Sequence, residues 1–139
     1  MSAPQPSPRT PPGRVSWNDL LSPDPAAATA FYEALFGWRA AAYRPSVPVE
    51  NLPPYTLFHA GPEDADAAGL LPAPDPGSPA QWVPYFVVTD LEAALTTALS
   101  HGATALGPVR NLGRVGRIAL IRDPQGALLG LHELAPRRP

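Results

Sequence analysis

The chain reads as an α+β protein built from two βαβββ modules. Three observations predict this. One run of local signals occurs twice: a short strand, an Asp, an amphipathic helix and then a Gly. Three further strand candidates follow each helix. A Pro-rich stretch, residues 72–80, separates the two runs and reads as a stiff linker. The length of 139 residues and the 45 % apolar content suit one compact domain with a real core. The expected organisation is a Pro-rich, disordered tail over 1–13, a first module over 14–71, the linker over 72–80, a second module over 81–134 and a tail over 135–139.

In the first module Arg14 to Leu21 is the opening strand. Asp24 is placed to cap a helix, because its carboxylate can accept the free N–H groups of the first turn. Pro25 follows at a position where a missing N–H costs nothing. Ala28, Phe31 and Leu35 fall on one stripe, Phe31, Leu35 and Phe36 are expected as core residues of that helix, and Gly37 ends it in the left-handed conformation. Strand candidates follow at Trp38–Arg44, Tyr55–Ala60 and Ala67–Leu71.

The second module repeats the order. Gln81 to Val88 is rich in β-formers. Asp90 caps the next helix, whose apolar face is Leu91, Ala94, Leu95, Ala98 and Leu99, and Gly102 stops it. His101 beside that stop reads as structural. Strands are expected at Thr104–Val109, Val115–Arg122 and Ala127–Leu134. Asp123-Pro124-Gln125-Gly126 forms the last hairpin turn.

Composition excludes several functions. The net charge of −2 gives no cationic face for nucleic acid. All the basic residues are Arg, so Schiff-base chemistry through Lys is excluded. There is no Cys, hence no disulfide, thiolate catalysis or thiolate-bound metal. No apolar run is long enough to span a bilayer, and Met1 is followed by no signal core, so the expectation is a cytoplasmic protein without a membrane partner. Phosphate-cradling Gly-Lys loops, Gly-x-Ser-x-Gly and His-Glu-x-x-His are absent.

Two stretches resemble a known family. Trp17-Asn18-Asp19-Leu20, Asp24, Phe31-Tyr32 and Leu35-Phe36-Gly37-Trp38 are similar to the opening module of glyoxalase/bleomycin-resistance (vicinal oxygen chelate) proteins. Gly116-Arg117-Ile118-Ala119 and Asp123-Pro124-Gln125-Gly126-Ala127 are similar to their closing hairpin. The resemblance covers residues 14–134. It implies two cups of strands that enclose a half-open, barrel-like cleft, with the helices outside, and it implies a homodimer. Metal-dependent members hold a divalent cation there with His and Glu side chains from four strands. The matching positions are Trp17, Pro84 and Gly130, none of which can ligate a metal. On the Tyr55–Ala60 strand only His59 could supply a fourth ligand. The resemblance therefore implies a metal-free site with no cofactor.

Strand alternation extends the site from these positions. Trp17 brings Asp19, Gly130 brings Leu128 and His132, and Pro84 brings Trp82 and Phe86. The result is an aromatic, largely apolar cleft suited to a small hydrophobic or aromatic molecule. Trp17 and Trp82 could equally plug the cleft as core. Asp19 and His132 are the candidate acid/base groups. Arg117 is either a surface strand residue or, with the other strand parity, an anion clamp. Three functions are open: a metal-independent binding protein, a metal-independent isomerase, cyclase or lyase using Asp19 or His132, and a metal-dependent glyoxalase- or dioxygenase-like enzyme. The last would need His59, His132 and Asp19 or Glu133 to converge.

Overall fold

A computed structural model describes residues 9–44, 54–73 and 77–136. Eight strands and two helices follow the order β1 (Val15–Ser22), α1 (Pro25–Phe36), β2 (Arg39–Ala42), β3 (Thr56–Ala60), β4 (Ala65–Pro72), β5 (Gln81–Val87), α2 (Leu91–Ser100), β6 (Thr104–Asn111), β7 (Arg117–Arg122) and β8 (Leu128–Glu133). The strands form one curled sheet in the order β2-β3-β4-β1-β5-β8-β7-β6. The two halves mirror each other, because β1 pairs parallel with β4 as β5 does with β8. The antiparallel β1–β5 pairing joins the halves. This is the α+β, duplicated βαβββ architecture.

The caps act as their residue types dictate. Asp24 accepts from the Ala27 N–H at 3.1 Å, and Gly37 closes α1 at φ 69° with its N–H on the Glu33 carbonyl. Asp90 accepts from the Ala93 N–H at 3.0 Å. The start of α2 is also tied to the sheet, since the Leu91 N–H donates to Glu133 Oε2 at 2.8 Å. Arg117 bridges Glu133 and Glu92 there and holds both carboxyl groups below their ordinary range. Arg117 is therefore an outer-face residue, engaged by Glu92 and Glu133. No helix among the described residues is long and apolar enough to cross a membrane.

Two details differ from the sequence reading. The tail expected over 1–13 is fastened at its end, where the Gly13 N–H donates to the Val87 carbonyl at 2.8 Å; residues 1–8 lie outside the described residues. The linker expected over 72–80 overlaps the sheet, because β4 runs through Pro72; residues 74–76 lie outside the described residues, as do residues 137–139 of the second tail.

Helix α1 departs further. Phe31, Leu35 and Phe36 are 58 %, 57 % and 57 % exposed, not core. The face of α1 that meets the sheet is Ala28 and Tyr32, four residues apart, packed on Leu20, Phe58, Ala68 and Leu70. Phe31 stands about 100° round the helix from Tyr32, and Leu35 and Phe36 are its last two residues. Helix α2 instead buries Leu91 against Ala119, Ile121 and Leu131. A third cluster, Leu21, Val83 and Tyr85 with Trp17, Ile118, Leu120 and Leu128 around it, forms the inner face.

Gly130 sits at the centre of this inner face, paired with Tyr85 across β8 and β5. A Cβ there would overlap the Tyr85 ring. Gly130→Ala is expected to destabilise the protein by about 1–3 kcal/mol through overpacking, read as a lower urea midpoint at unchanged slope.

Candidate functional site

The concave side of the sheet encloses a cavity of about 640 Å³. Its aromatic wall is Trp17, Tyr43, Tyr55 and Tyr85, and Leu57, Ile118 and Leu120 add aliphatic surface. Asp19 lies at its base, 2 % exposed.

Three elements converge on Asp19. The Trp17 indole N–H donates to Oδ1 at 2.9 Å, and the Tyr55 hydroxyl donates to the same oxygen at 2.5 Å. Tyr85 faces this carboxyl group from β5. Gly69 on β4 pairs with Asp19, and a Cβ at Gly69 would overlap both the Tyr55 hydroxyl and the Asp19 carboxyl. The missing side chain therefore lets Tyr55 reach Asp19. Burial pushes the Asp19 carboxyl above its ordinary value, although the bonds from Tyr55 and Trp17 favour the charged form. Burial first, and then the Asp19 charge, push the Tyr55 and Tyr85 phenols up. Both stay protonated hydrogen-bond donors.

The expected site residues divide into three groups. Trp17, Asp19 and His132 line one cavity. Leu128 and Gly130 share their face but lie beneath it: Leu128 packs in the inner cluster, and the Tyr85 ring fills the space over Gly130. Trp82, Pro84 and Phe86 are on the other face. The register pairs Trp17 with Tyr85 and Asp19 with Val83, so the cavity-facing residues of β5 are Val83 and Tyr85. Trp82 packs outside on Tyr32 and Trp38, with its indole N–H 3.1 Å from the Tyr32 hydroxyl. His59 is set back from the cavity, with Nδ1 3.1 Å from the carboxylate of Asp66 at the cavity wall.

His132 lines the cavity with its ring already engaged. Nε2 lies 2.6 Å from the Val115 carbonyl, and Nδ1 lies 2.7 Å from the Ser16 hydroxyl. A carbonyl only accepts, so the network assigns the proton to Nε2 and leaves Nδ1 to accept from Ser16. The ring ties β8 to β1 and to the turn before β7, with no free nitrogen for acid/base work. Tyr43, Tyr55, Tyr85 and Arg110 are cavity residues that the sequence reading missed.

Among the described residues, the donor set of the cavity does not fit a divalent cation. The central strands β4, β1, β5 and β8 present Gly69, Trp17, Asp19, Val83, Tyr85, Gly130 and His132 to the concave side. One hydrogen-bonded carboxyl and one engaged His do not make a metal site. Nor do His59, His132, Asp19 and Glu133 converge. Among the described residues, the one group of three potential ligands within 4.8 Å is Asp90, Glu92 and Glu133, at the outer end of α2 where Arg117 already binds Glu92 and Glu133.

This fold and its concave site define a family. Residues 14–131 match the Glyoxalase/Bleomycin resistance protein/Dioxygenase superfamily, and the chain belongs to it. It is 34 % identical over 126 residues to CFP32 of Mycobacterium bovis, a protein named as a glyoxylase; the match covers 91 % of this chain and 46 % of that one. It is 30 % identical over 128 residues to the anthracycline biosynthesis protein DauV of a Streptomyces species, covering 84 % and 45 %. The chain thus spans less than half the length of these relatives. Among solved structures, methylmalonyl-CoA epimerase of Mycobacterium tuberculosis shares the fold at a TM-score of 0.54 and 20 % identity, covering 89 % of each chain. The Streptomyces coelicolor epimerase does so at 0.56 and 18 %, covering 91 % of this chain and 100 % of that one.

Asp19 has a readable signature. An acid whose pKa is raised by folding contributes stability that is present at low pH. That stability is lost as pH rises from the ordinary value of about 3.8 through the raised one. Glu92 and Glu133, held down by Arg117, contribute the opposite slope. The difference between wild type and Asp19→Asn therefore isolates Asp19. In urea titrations across acid to neutral pH, the wild type is expected to lose stability relative to the variant as pH rises through that window.

Proposed function

We propose that this chain binds a planar, hydrophobic aromatic molecule in the concave cavity, without a resident divalent cation. The observation that carries this reading is the cavity itself: about 640 Å³, walled by Trp17, Tyr43, Tyr55 and Tyr85, with few polar groups. Such a volume suits a drug-sized molecule, and flat rings stack on aromatic walls. The likeness to DauV, a protein named for anthracycline biosynthesis, supports a polycyclic aromatic ligand. The chemistry of the inner face supports the absence of a cation, since it offers phenols and an indole where metal-dependent relatives offer His and Glu.

Titration with an anthraquinone tests this, with the indole of Trp17 as the reporter. The expected result is saturable quenching with a dissociation constant of roughly micromolar order, unchanged after dialysis against a chelator. Leu120→Trp, which fills the cavity, should abolish that quenching while the fold persists. No saturable binding, or binding that requires an added divalent cation, would overturn the proposal.

A second reading follows from Asp19 alone. A buried carboxyl group with a raised pKa, facing an apolar cavity, is suited to move a proton beside a ketone, as in an isomerase, cyclase or lyase. Deuterium wash-in next to the carbonyl of a bound tetralone reads this directly. Exchange in the wild type, lost in Asp19→Asn with binding retained, supports it; equal exchange in both removes Asp19 from the chemistry.

A further inference from the structure

Arg110 is the cation of the cavity. Along β6 every second residue from Leu106 lines the cavity: Leu106, Pro108, Arg110 and, just beyond the strand, Leu112. The register agrees, because Arg110 pairs with Ile118 and Leu106 with Leu120, and both partners face inward. The side chain is half-buried, and the positive charge lies close enough to act on the Tyr85 phenol.

The other partly buried arginines are occupied. Arg117 binds Glu92 and Glu133, and Arg122 donates to the Gly126 carbonyl at 3.1 Å. Arg110 has no hydrogen-bond or ion-pair partner among the described residues. The two carboxyl groups in the cavity wall are engaged elsewhere: Asp66 faces His59 at 3.1 Å, and Asp19 is held by Trp17 and Tyr55. A guanidinium drawn from water into an apolar wall gains most from a partner that is anionic and planar.

We infer that Arg110 is a specificity residue that recognises an acidic group, a carboxylate or an ionised phenol, on the aromatic ligand of the cavity. The inference rests on the aromatic-ligand reading and adds the charge of the ligand to it. The ring system stacks on Trp17, Tyr55 and Tyr85, while the acidic substituent points across the cavity to β6. A guanidinium–carboxylate pair in this setting favours the anion over a neutral isostere by about tenfold or more.

The test compares naphthoate with naphthamide, flat probes of one size that differ in charge, by isothermal titration calorimetry at neutral pH. The expected result is a preference of about tenfold for naphthoate that shrinks as salt is raised. Arg110→Met should remove the preference, so that naphthoate and naphthamide bind the variant within about twofold of each other. Arg110→Lys should keep part of it. Thermal melts of each variant show that the fold is retained. If both probes bind the wild type equally, or if Arg110→Met keeps the preference, the assignment of Arg110 is wrong while the aromatic cavity stands. If neither probe binds, the aromatic-ligand reading fails and the inference fails with it.

Discussion

A buried carboxyl group must find hydrogen-bond donors, and the inner face of this protein is arranged around that requirement. Asp19 is nearly inaccessible on the central strand β1. An unpartnered carboxyl there would cost several kcal/mol. Its donors are Trp17 on its own strand and Tyr55 at the entrance to β3, and Tyr85 faces it from β5 across the joint between the halves. Tyr55 in turn accepts from the Trp17 indole at 2.9 Å, which closes the network. One polar group thus fixes where Trp17 and Tyr55 stand, and with Tyr85 beside them these side chains wall the cavity.

Two glycines make that wall possible. Tyr55 occupies the space above Gly69, and Tyr85 occupies the space above Gly130. Both glycines lie on strands that flank the β1–β5 joint, β4 and β8. Phenols fill the centre of the concave face, where metal-dependent relatives project His and Glu. The helices stay on the convex side, so cavity chemistry and helix packing are separated by the thickness of one sheet. The two convex sides differ: α2 is anchored through Leu91 and Glu133, whereas α1 leaves Phe31, Leu35 and Phe36 in solvent.

The architecture was legible because its signals are local. Asp24, Pro25 and Gly37, then Asp90 and Gly102, mark two helices whatever the tertiary context. The facing of β1 and β8 followed from the family resemblance, whose ligand positions fall on Trp17 and Gly130 and by alternation put Asp19 and His132 inward. Strand β5 could not be read this way. Trp82, Val83, Pro84, Tyr85, Phe86 and Val87 are apolar or aromatic at every position although only Val83, Tyr85 and Val87 are buried, and without alternation in residue type the parity has no marker. Tyr55 was hidden for a different reason. It meets Asp19 only through a long-range pairing that a single-residue gap at Gly69 permits. Arg110 did leave a trace, in the alternation of Leu106, Pro108, Arg110 and Leu112, but a bulge between Leu106 and Arg110 obscures it. The exposed face of α1 was misread because, of the stripe Ala28, Phe31 and Leu35, only the small Ala28 packs on the sheet, with Tyr32 beside it.

The most direct test of the central claim is a crystal structure of the protein with a bound anthraquinone. The ring system should lie in the concave cavity between Trp17, Tyr55 and Tyr85, with a polar substituent near Asp19 and with no cation on β4, β1, β5 or β8. A ligand found instead on the convex surface beside Phe31 and Trp82, or a metal ion held on the concave face, would contradict it.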